Sequence, residues 1–569
     1  MDYGRQNLIW AHALIDGLVG SGLDCFVLSP GSRSTPLALA CTGHPSVRSW
    51  VQQDERSAAF FALGLNKAIQ RPVAVIATSG TAPANWFPAL IEASQDNQSL
   101  LFISADRPPE LQDCGANQTI DQIRLFGHHT RAFYALPVPE RSTAQLRYVR
   151  AVASRAVDRS QWPVPGPIHL NVPFREPLVP DDTTWHPAPS PRESSPRISF
   201  PRLALSHDEL TPLANRMTAR NGVIVCGRSR YPPEFAQAIT NLARQLCCPV
   251  FADPLSGLRF GPHDHTAILV HYDAFLRGKH FCVEHRPHWV LRFGGVPTSS
   301  SLQRYLAEVD DEATLIIVPH GPWPDPTHTV GHIIHADPTW LCQALSAAAK
   351  RPAARRWLEE FRDQDRRAAT LLKNAPHSPF EAAVLESLCQ HCPAETTLFC
   401  ANSMIIRDVD SFVAGGPQLL TLIGNRGASG IDGNVSTVLG LAAGSTPPVI
   451  GLIGDLALYH DMNGLLASQD ITAVFIVFNN GGGAIFSYLP QATLPHFERY
   501  WLTPTKLDIS KIADLYGLKY RGVNNVAQFE PALLECLDSA GSALIEIIVD
   551  RAESIRHHQA YWEVVAGKH

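Results

Sequence analysis

The stretch from Val449 to Gly483 constrains this chain most, because two short apolar runs there flank an amphipathic segment. Val449-Ile450-Gly451-Leu452-Ile453 leads into Gly454-Asp455, and Ala473 to Phe478 leads into Asn479-Asn480-Gly481-Gly482-Gly483. That pattern reads as strand, helix, strand. In a parallel unit the carboxyl ends of both strands point the same way, so Asp455 and Asn480 can converge above the sheet. A carboxylate, an amide oxygen and a carbonyl freed by a glycine loop make an all-oxygen half-shell, which Mg²⁺ usually completes with phosphate oxygens and water. Gly-Asp also ends strands, and Asn-Asn-Gly also turns the chain, in any α/β protein. For either dipeptide taken alone, that ordinary reading is the better one.

At 569 residues the chain is too long for one core, and about two to four domains are expected. The apolar share of 45% and charged share of 18% suit a globular protein with several buried sheets. A net charge of −6 with no basic stretch argues against nucleic acid as the main partner. The 12 cysteines suggest no disulfide framework, which points to a reducing cytosol. Cys389-Gln390-His391-Cys392 has no second ligand pair at metal-binding spacing. The amino terminus reads as an ordinary amphipathic helix, and no run approaches the ~20 apolar residues that span a bilayer. A cytoplasmic protein is expected.

In the first third, Cys25 to Leu28 is a strand running into Ser29-Pro30-Gly31-Ser32-Arg33-Ser34-Thr35-Pro36. That loop suits an anion, with Arg33 as a planar carboxylate clamp; a plain turn whose Ser34 or Thr35 caps the next helix is the alternative. Glu55 opens an apolar helix, where an acid ordinarily complements the helix dipole. Val73 to Ala77 and Leu100 to Ser104 are further strands, and Cys114 to Gln122 is a loop dense in amides. The strand, turn and helix ending at Asp96 faintly echo those ending at Asp470, a sign of duplicated folds.

Residues 181–201 are proline-rich and read as a linker. Beyond it, strands at Gly222 to Gly227, Trp289 to Phe293, Thr314 to Val318 and His332 to Ala336 alternate with helices, which argues for a small doubly wound parallel sheet. Its glycines spell no dinucleotide fingerprint. The charged stretch Lys350 to Lys373 reads as a surface helix leading to the last domain. There, strands at Thr397 to Cys400 and Leu419 to Ile423 precede Arg407 and Arg426, so that three arginines, with Arg33, follow predicted strands at sheet ends.

GD followed, one helix and one strand later, by NN resembles the diphosphate and metal motif of thiamine diphosphate enzymes. SPGSRSTPLA, DERSAAFFALG, TSGTAPANWFPA, ADRPPEL and DCGANQTIDQ, together with NSxxxRD and NRGASGIDG, resemble one subfamily, the 2-succinyl-5-enolpyruvyl-6-hydroxy-3-cyclohexene-1-carboxylate (SEPHCHC) synthases of menaquinone biosynthesis. The departure is Leu456, where many of these enzymes have Gly. The resemblance implies three doubly wound parallel-sheet α/β domains. These are a pyrimidine-binding domain (1–180), a central Rossmann-like domain (202–350) and, after a helical linker (351–376), a diphosphate-binding domain (377–569).

It also implies that Asp455, Asn480 and the Gly482 carbonyl hold Mg²⁺, with Mn²⁺ as a possible substitute, against the cofactor's diphosphate. Glu55 becomes the acid that hydrogen-bonds the aminopyrimidine, which replaces the dipole reading. Ile431 would wedge the cofactor, with Ile485, Phe486 and Leu489 beside it; ordinary core packing competes for all four. Ser32, Arg33, Arg107, Asn117, Gln118, Ser403, Arg407 and Arg426 would bind substrate carboxylates. The implied reaction is decarboxylation of 2-oxoglutarate and 1,4-addition of the resulting succinyl-semialdehyde carbanion to isochorismate. A homodimer or dimer of dimers would share its active sites, with Asp455 and Glu55 serving one cofactor across subunits. Ser300 stands where many members carry a Lys, leaving Arg292 or Arg304 as substitutes. A different thiamine-dependent 2-oxoacid decarboxylase or carboligase, and a noncatalytic homologue, are the alternatives.

Overall fold

The computed structural model describes residues 2–182, 196–349, 352–374 and 380–567. Most of the expected 181–201 linker, and both ends of the 351–376 linker, lie outside the described residues. Among the described residues, eighteen strands form three six-stranded parallel sheets. The first contains β1 (Cys25–Leu28), β2 (Arg48–Val51), β3 (Val73–Ala77), β4 (Leu100–Asp106), β5 (Ala132–Ala135) and β6 (Ile168–Pro173), in the order β2-β1-β3-β4-β6-β5. The second contains β7 (Gly222–Cys226), β8 (Val250–Ala252), β9 (Ile268–Leu269), β10 (Trp289–Phe293), β11 (Thr314–Ile317) and β12 (His332–Ile334), ordered β12-β11-β10-β7-β8-β9. The third contains β13 (Thr397–Cys400), β14 (Thr421–Ile423), β15 (Val449–Gly454), β16 (Val474–Asn479), β17 (Lys519–Val523) and β18 (Ala543–Ile548), ordered β14-β13-β15-β16-β18-β17.

The central strands β1, β3 and β7, and β16 up to its last residue Asn479, are continuous apolar runs because helices cover both faces of a parallel sheet, while β10 carries one charge, Arg292, which is buried and pairs with Asp325. The first and third sheets share one strand order, which extends the faint repeat in the sequence to their whole topology. The second has the doubly wound order of dinucleotide-binding folds.

The chain divides into two compact units: Met1–Phe200 with Asn425–Val449 and Ala457–Ala473, and Pro201–Gly424 with Ile450–Leu456 and Val474–His569. In the first unit, helices Glu55–Ile69 and Asn434–Gly444 cross at glycines. A Cβ on Gly64 would overlap the Thr437 carbonyl oxygen, and one on Gly440 would overlap that of Phe61, so only glycine lets these backbones touch. In the second unit, the second and third sheets feed a common apolar core that includes Phe251, Tyr272, Ile476 and Ile545. Arg259 is fully buried there, pairs with Asp410, and donates to the carbonyls of Val409, Asp410 and Val413 at 3.2, 3.0 and 3.2 Å.

Two local expectations change. The segment after Gly454 is helical only over Asp455–His460 and then becomes a 3₁₀ run, Met462–Gln469. Asp461 causes the break: its side chain is fully buried and turns to accept the Ser436 amide at 2.7 Å and the Ser436 hydroxyl at 3.1 Å. The charged helix Arg355–Asn374 is not simply a surface helix, since Trp357, Phe361 and Ala368 sink into the core.

Candidate active site

Ligands of doubly wound sheets gather beyond the strand carboxyl ends where the strand order reverses. In the third sheet that point lies between β13 and β15, and the chain leaving those strands carries Ser403 and Asp455. Asp455 is buried, and burial pushes its carboxyl up to about 6, against backbone hydrogen bonds from Leu456 and Gly482. Its Oδ2 has no hydrogen-bond donor among the described residues, and neither does the sealed Oδ1 of Asn480. Buried oxygens without donors are rare and costly. Two of them, beside a glycine loop, fit a hard divalent cation.

The loop itself cannot accept side chains. Gly482 has a φ of 122°, and a Cβ there would overlap the Leu502 carbonyl oxygen. The Gly482 carbonyl accepts the Ala484 amide at 2.9 Å, which leaves a second lone pair. Neighbouring Asn479 is held separately, donating to Glu546 at 2.6 Å. Ile485 and Phe486 lie half-buried on the 3₁₀ turn Ala484–Tyr488, and Leu489, just after it, is 41% exposed. Arg407 is exposed and donates to the Ser403 carbonyl at 2.5 Å.

In the first unit, Asp54 caps helix Glu55–Ile69 by accepting the amides of Arg56 and Ser57 at 2.9 and 3.3 Å. This fixes Glu55 at the first helical position, half-buried and without a hydrogen bond from any described residue. The first sheet's order reverses between β1 and β3, where Arg33 and Ser79 follow the two strands. Arg33 is 5% exposed, donates to the Phe174 carbonyl at 3.0 Å and pairs with Glu176 at 2.7 Å. Arg107 donates to the Ser79 hydroxyl and, at 2.9 Å, to the Gln118 carbonyl, while the Gln118 amide donates to Ser79 O at 3.1 Å. Ser32 and Asn117 are exposed. Ser34 does not cap the helix that follows; its hydroxyl donates to the Gly31 carbonyl at 3.0 Å.

Arg426 and Ile431 lie on the loop after Gly424. Glu92, 3% exposed, accepts the amides of Gly427, Ala428 and Ser429 at 2.7, 2.6 and 3.3 Å and so fixes that loop. A cavity of about 300 Å³ opens beside it, lined by Phe60, Phe87, Ile91 and Glu92 with Asn425 and Asp432. Reading the sequence alone misses Glu92; the signal was an acid inside the apolar helix Phe87–Gln95. It also misses Glu381, Asp408 and His558, whose oxygen and nitrogen atoms lie within 4.8 Å of one another. His558 already uses both ring nitrogens, toward Asp408 at 3.1 Å and the Ser554 carbonyl at 2.7 Å. The substitutes considered for a lysine at Ser300 are engaged elsewhere: Arg292 with Pro324 O at 2.7 Å and Asp325, and Arg304 with Ser301 at 3.4 Å.

These sites belong to a known class. Residues 10–125 match the family model for the N-terminal TPP binding domain of thiamine pyrophosphate enzymes, residues 204–400 the middle domain, and residues 415–547 the C-terminal TPP binding domain. The fold is that of the crystal structure of benzoylformate decarboxylase from Polynucleobacter necessarius, with a TM-score of 0.71 at 19% identity over 95% of this chain and 98% of that one. The sequence is 42% identical to the 2-succinyl-5-enolpyruvyl-6-hydroxy-3-cyclohexene-1-carboxylate synthase of Dechloromonas aromatica, covering 96% of this chain and 99% of the relative. It is 43% identical to the synthase of that name from Geobacillus kaustophilus, covering 98% of each. The chain belongs to the SEPHCHC synthase family of thiamine diphosphate enzymes. No helix among the described residues is long and apolar enough to cross a membrane.

Proposed function

We propose that this chain is a thiamine diphosphate-dependent transferase that decarboxylates 2-oxoglutarate and joins the remaining four-carbon unit to isochorismate, giving SEPHCHC for menaquinone biosynthesis. The support is the coincidence of full-length relatives bearing that name with two donorless buried oxygens, on Asp455 and Asn480. Bound thiamine diphosphate supplies the electron sink for loss of carbon dioxide. Asp455, Asn480 and the Gly482 carbonyl would hold Mg²⁺ or Mn²⁺ against its diphosphate. Glu55 would hold a proton at the aminopyrimidine ring; its place at the capped start of its helix supports this.

Ile431, Ile485 and Phe486 would wall the cofactor from water, with Leu489 at the substrate side. Both substrates carry two carboxylates, which accounts for a site rich in guanidinium and amide groups. Arg407 and Arg426 are the first choices for binding them, with Ser32, Arg33, Arg107, Asn117, Gln118 and Ser403 in support. We read the working species as a homodimer in which Glu55 and Asp455 serve one cofactor from different subunits. The 12 unpaired thiols fit a reducing compartment.

Incubation with 2-oxoglutarate, with and without isochorismate, tests the reading. Carbon dioxide release that depends on the acceptor, with SEPHCHC as product, supports it. Release that ignores the acceptor marks a decarboxylase of another kind. Failure to bind thiamine diphosphate with Mg²⁺ by calorimetry marks a noncatalytic relative.

A further inference from the structure

Arg33 is presented in an unusual way. Its Nη1 is spent on the Phe174 carbonyl and its Nη2 on Glu176 Oε1, while its buried Nε has no partner among the described residues. Nε–H and the neighbouring Nη2–H share the guanidinium edge that takes a carboxylate side-on through two parallel bonds. Glu176 satisfies one of those two. Its side chain is 70% exposed, against 5% for Arg33, so it can swing into water without repacking the core.

A second guanidinium lies in the same electrostatic environment. Burial and the Arg33 charge lower the proton affinity of Arg107, while Asp106 and Glu176 raise it. A buried guanidinium with no counter-charge is costly. Glu176 supplies that counter-charge from the solvent side while leaving the two-bond edge half-used.

We propose that Glu176 is an internal counter-ion which a substrate carboxylate displaces from Arg33, so that Glu176 sets the affinity for one of the two dicarboxylic substrates. The inference rests on the reading of Arg33 as a substrate-binding residue. Binding exchanges a one-bond pair for a two-bond pair, and the lost Arg33–Glu176 contact is subtracted from the substrate's affinity. Removing the Glu176 charge therefore tightens binding.

The test is Glu176→Gln in the holoenzyme with thiamine diphosphate and Mg²⁺, varying each substrate in turn. The KM of one dicarboxylate should fall about three- to tenfold, the range open to a half-exposed ion pair, with kcat held within about twofold. Glu176→Ala should move KM the same way. Glu110→Gln, which breaks the nearby exposed pair between Arg175 and Glu110, should leave both KM values unchanged. A rise in KM or a loss of kcat in both Glu176 variants would mean that Glu176 orients Arg33, and unchanged KM values would mean that the pair is incidental; either overturns the proposal. Should the parent enzyme turn over neither substrate, the functional reading fails by itself. The counter-ion is then judged by calorimetry with succinate, which must bind Glu176→Gln more tightly than the parent, and equal affinity overturns it.

Discussion

Replacing Asp455 with Asn separates the cost of a buried charge from the benefit of a bound cation. Burial raises the Asp455 carboxyl from 3.8 to about 6. A folded-state value above the unfolded one means that the fold favours the protonated acid. That stability is fully present below the unfolded value and is lost as pH rises through about 6. Above this window the ionised acid costs about 3 kcal/mol, at 1.36 kcal/mol per unit.

Asn cannot ionise, and it can place its Nδ2 where Oδ2 has no donor, so no two N–H groups need confront each other. Stripped of metal, Asp455→Asn should be more stable than the parent by about 1 kcal/mol at pH 4.5 and about 3 kcal/mol at pH 8. Urea unfolding in the presence of EDTA at the two pH values reads the difference directly. Other buried acids titrate nearby, but they are common to both proteins and cancel. Adding Mg²⁺ and thiamine diphosphate should reverse the order, because only the parent gains from the ligand. A metal-free variant no more stable than the parent at pH 8 would refute the reasoning.

Glu55→Gln should bind thiamine diphosphate by calorimetry as the parent does, yet lose about 10²- to 10⁴-fold in turnover, since the Asp54 cap keeps the helix start in place while the acid is gone. Gly440→Ala pushes a methyl into the Phe61 carbonyl and should lower stability by about 1–3 kcal/mol, whereas Gly541→Ala, with open space around it, should be near neutral; thermal midpoints compare them. Arg259→Met strands the buried Asp410, whose carboxyl burial already pushes up to about 7, and should cost about 3–5 kcal/mol in urea unfolding, most of it recovered by adding Asp410→Leu.

The sheets were legible because most of their central strands are apolar runs that lead into glycine, serine, threonine or asparagine, a pattern written within a few residues. Two edge strands, β12 and β14, were read from the sequence, but others were not. β2 reads Arg-Ser-Trp-Val with mostly exposed side chains, and β9 is two residues long, so neither carries a pattern of its own. Asp455 and Asn480 could be nominated from spacing, since one parallel crossover sets both. Glu92 could not, because it serves backbone amides at 427–429, more than half the chain away. The 3₁₀ run after His460 escaped for the same reason: Asp461 turns inward only because the Ser436 amide waits for it.

The common wiring of the first and third sheets makes β1 the counterpart of β13, and β3 the counterpart of β15, in strand order. An ancestral six-strand module, doubled and then left to drift, accounts for this. The loop after β3 came to carry Thr78, Ser79 and Gly80, while its counterpart after β15 begins with the acid Asp455. Because the copies are separate stretches of gene, each can be remodelled alone: randomising 78–80 explores new hydroxyl and amide donors while Asp455 and Asn480 in the other copy stay untouched.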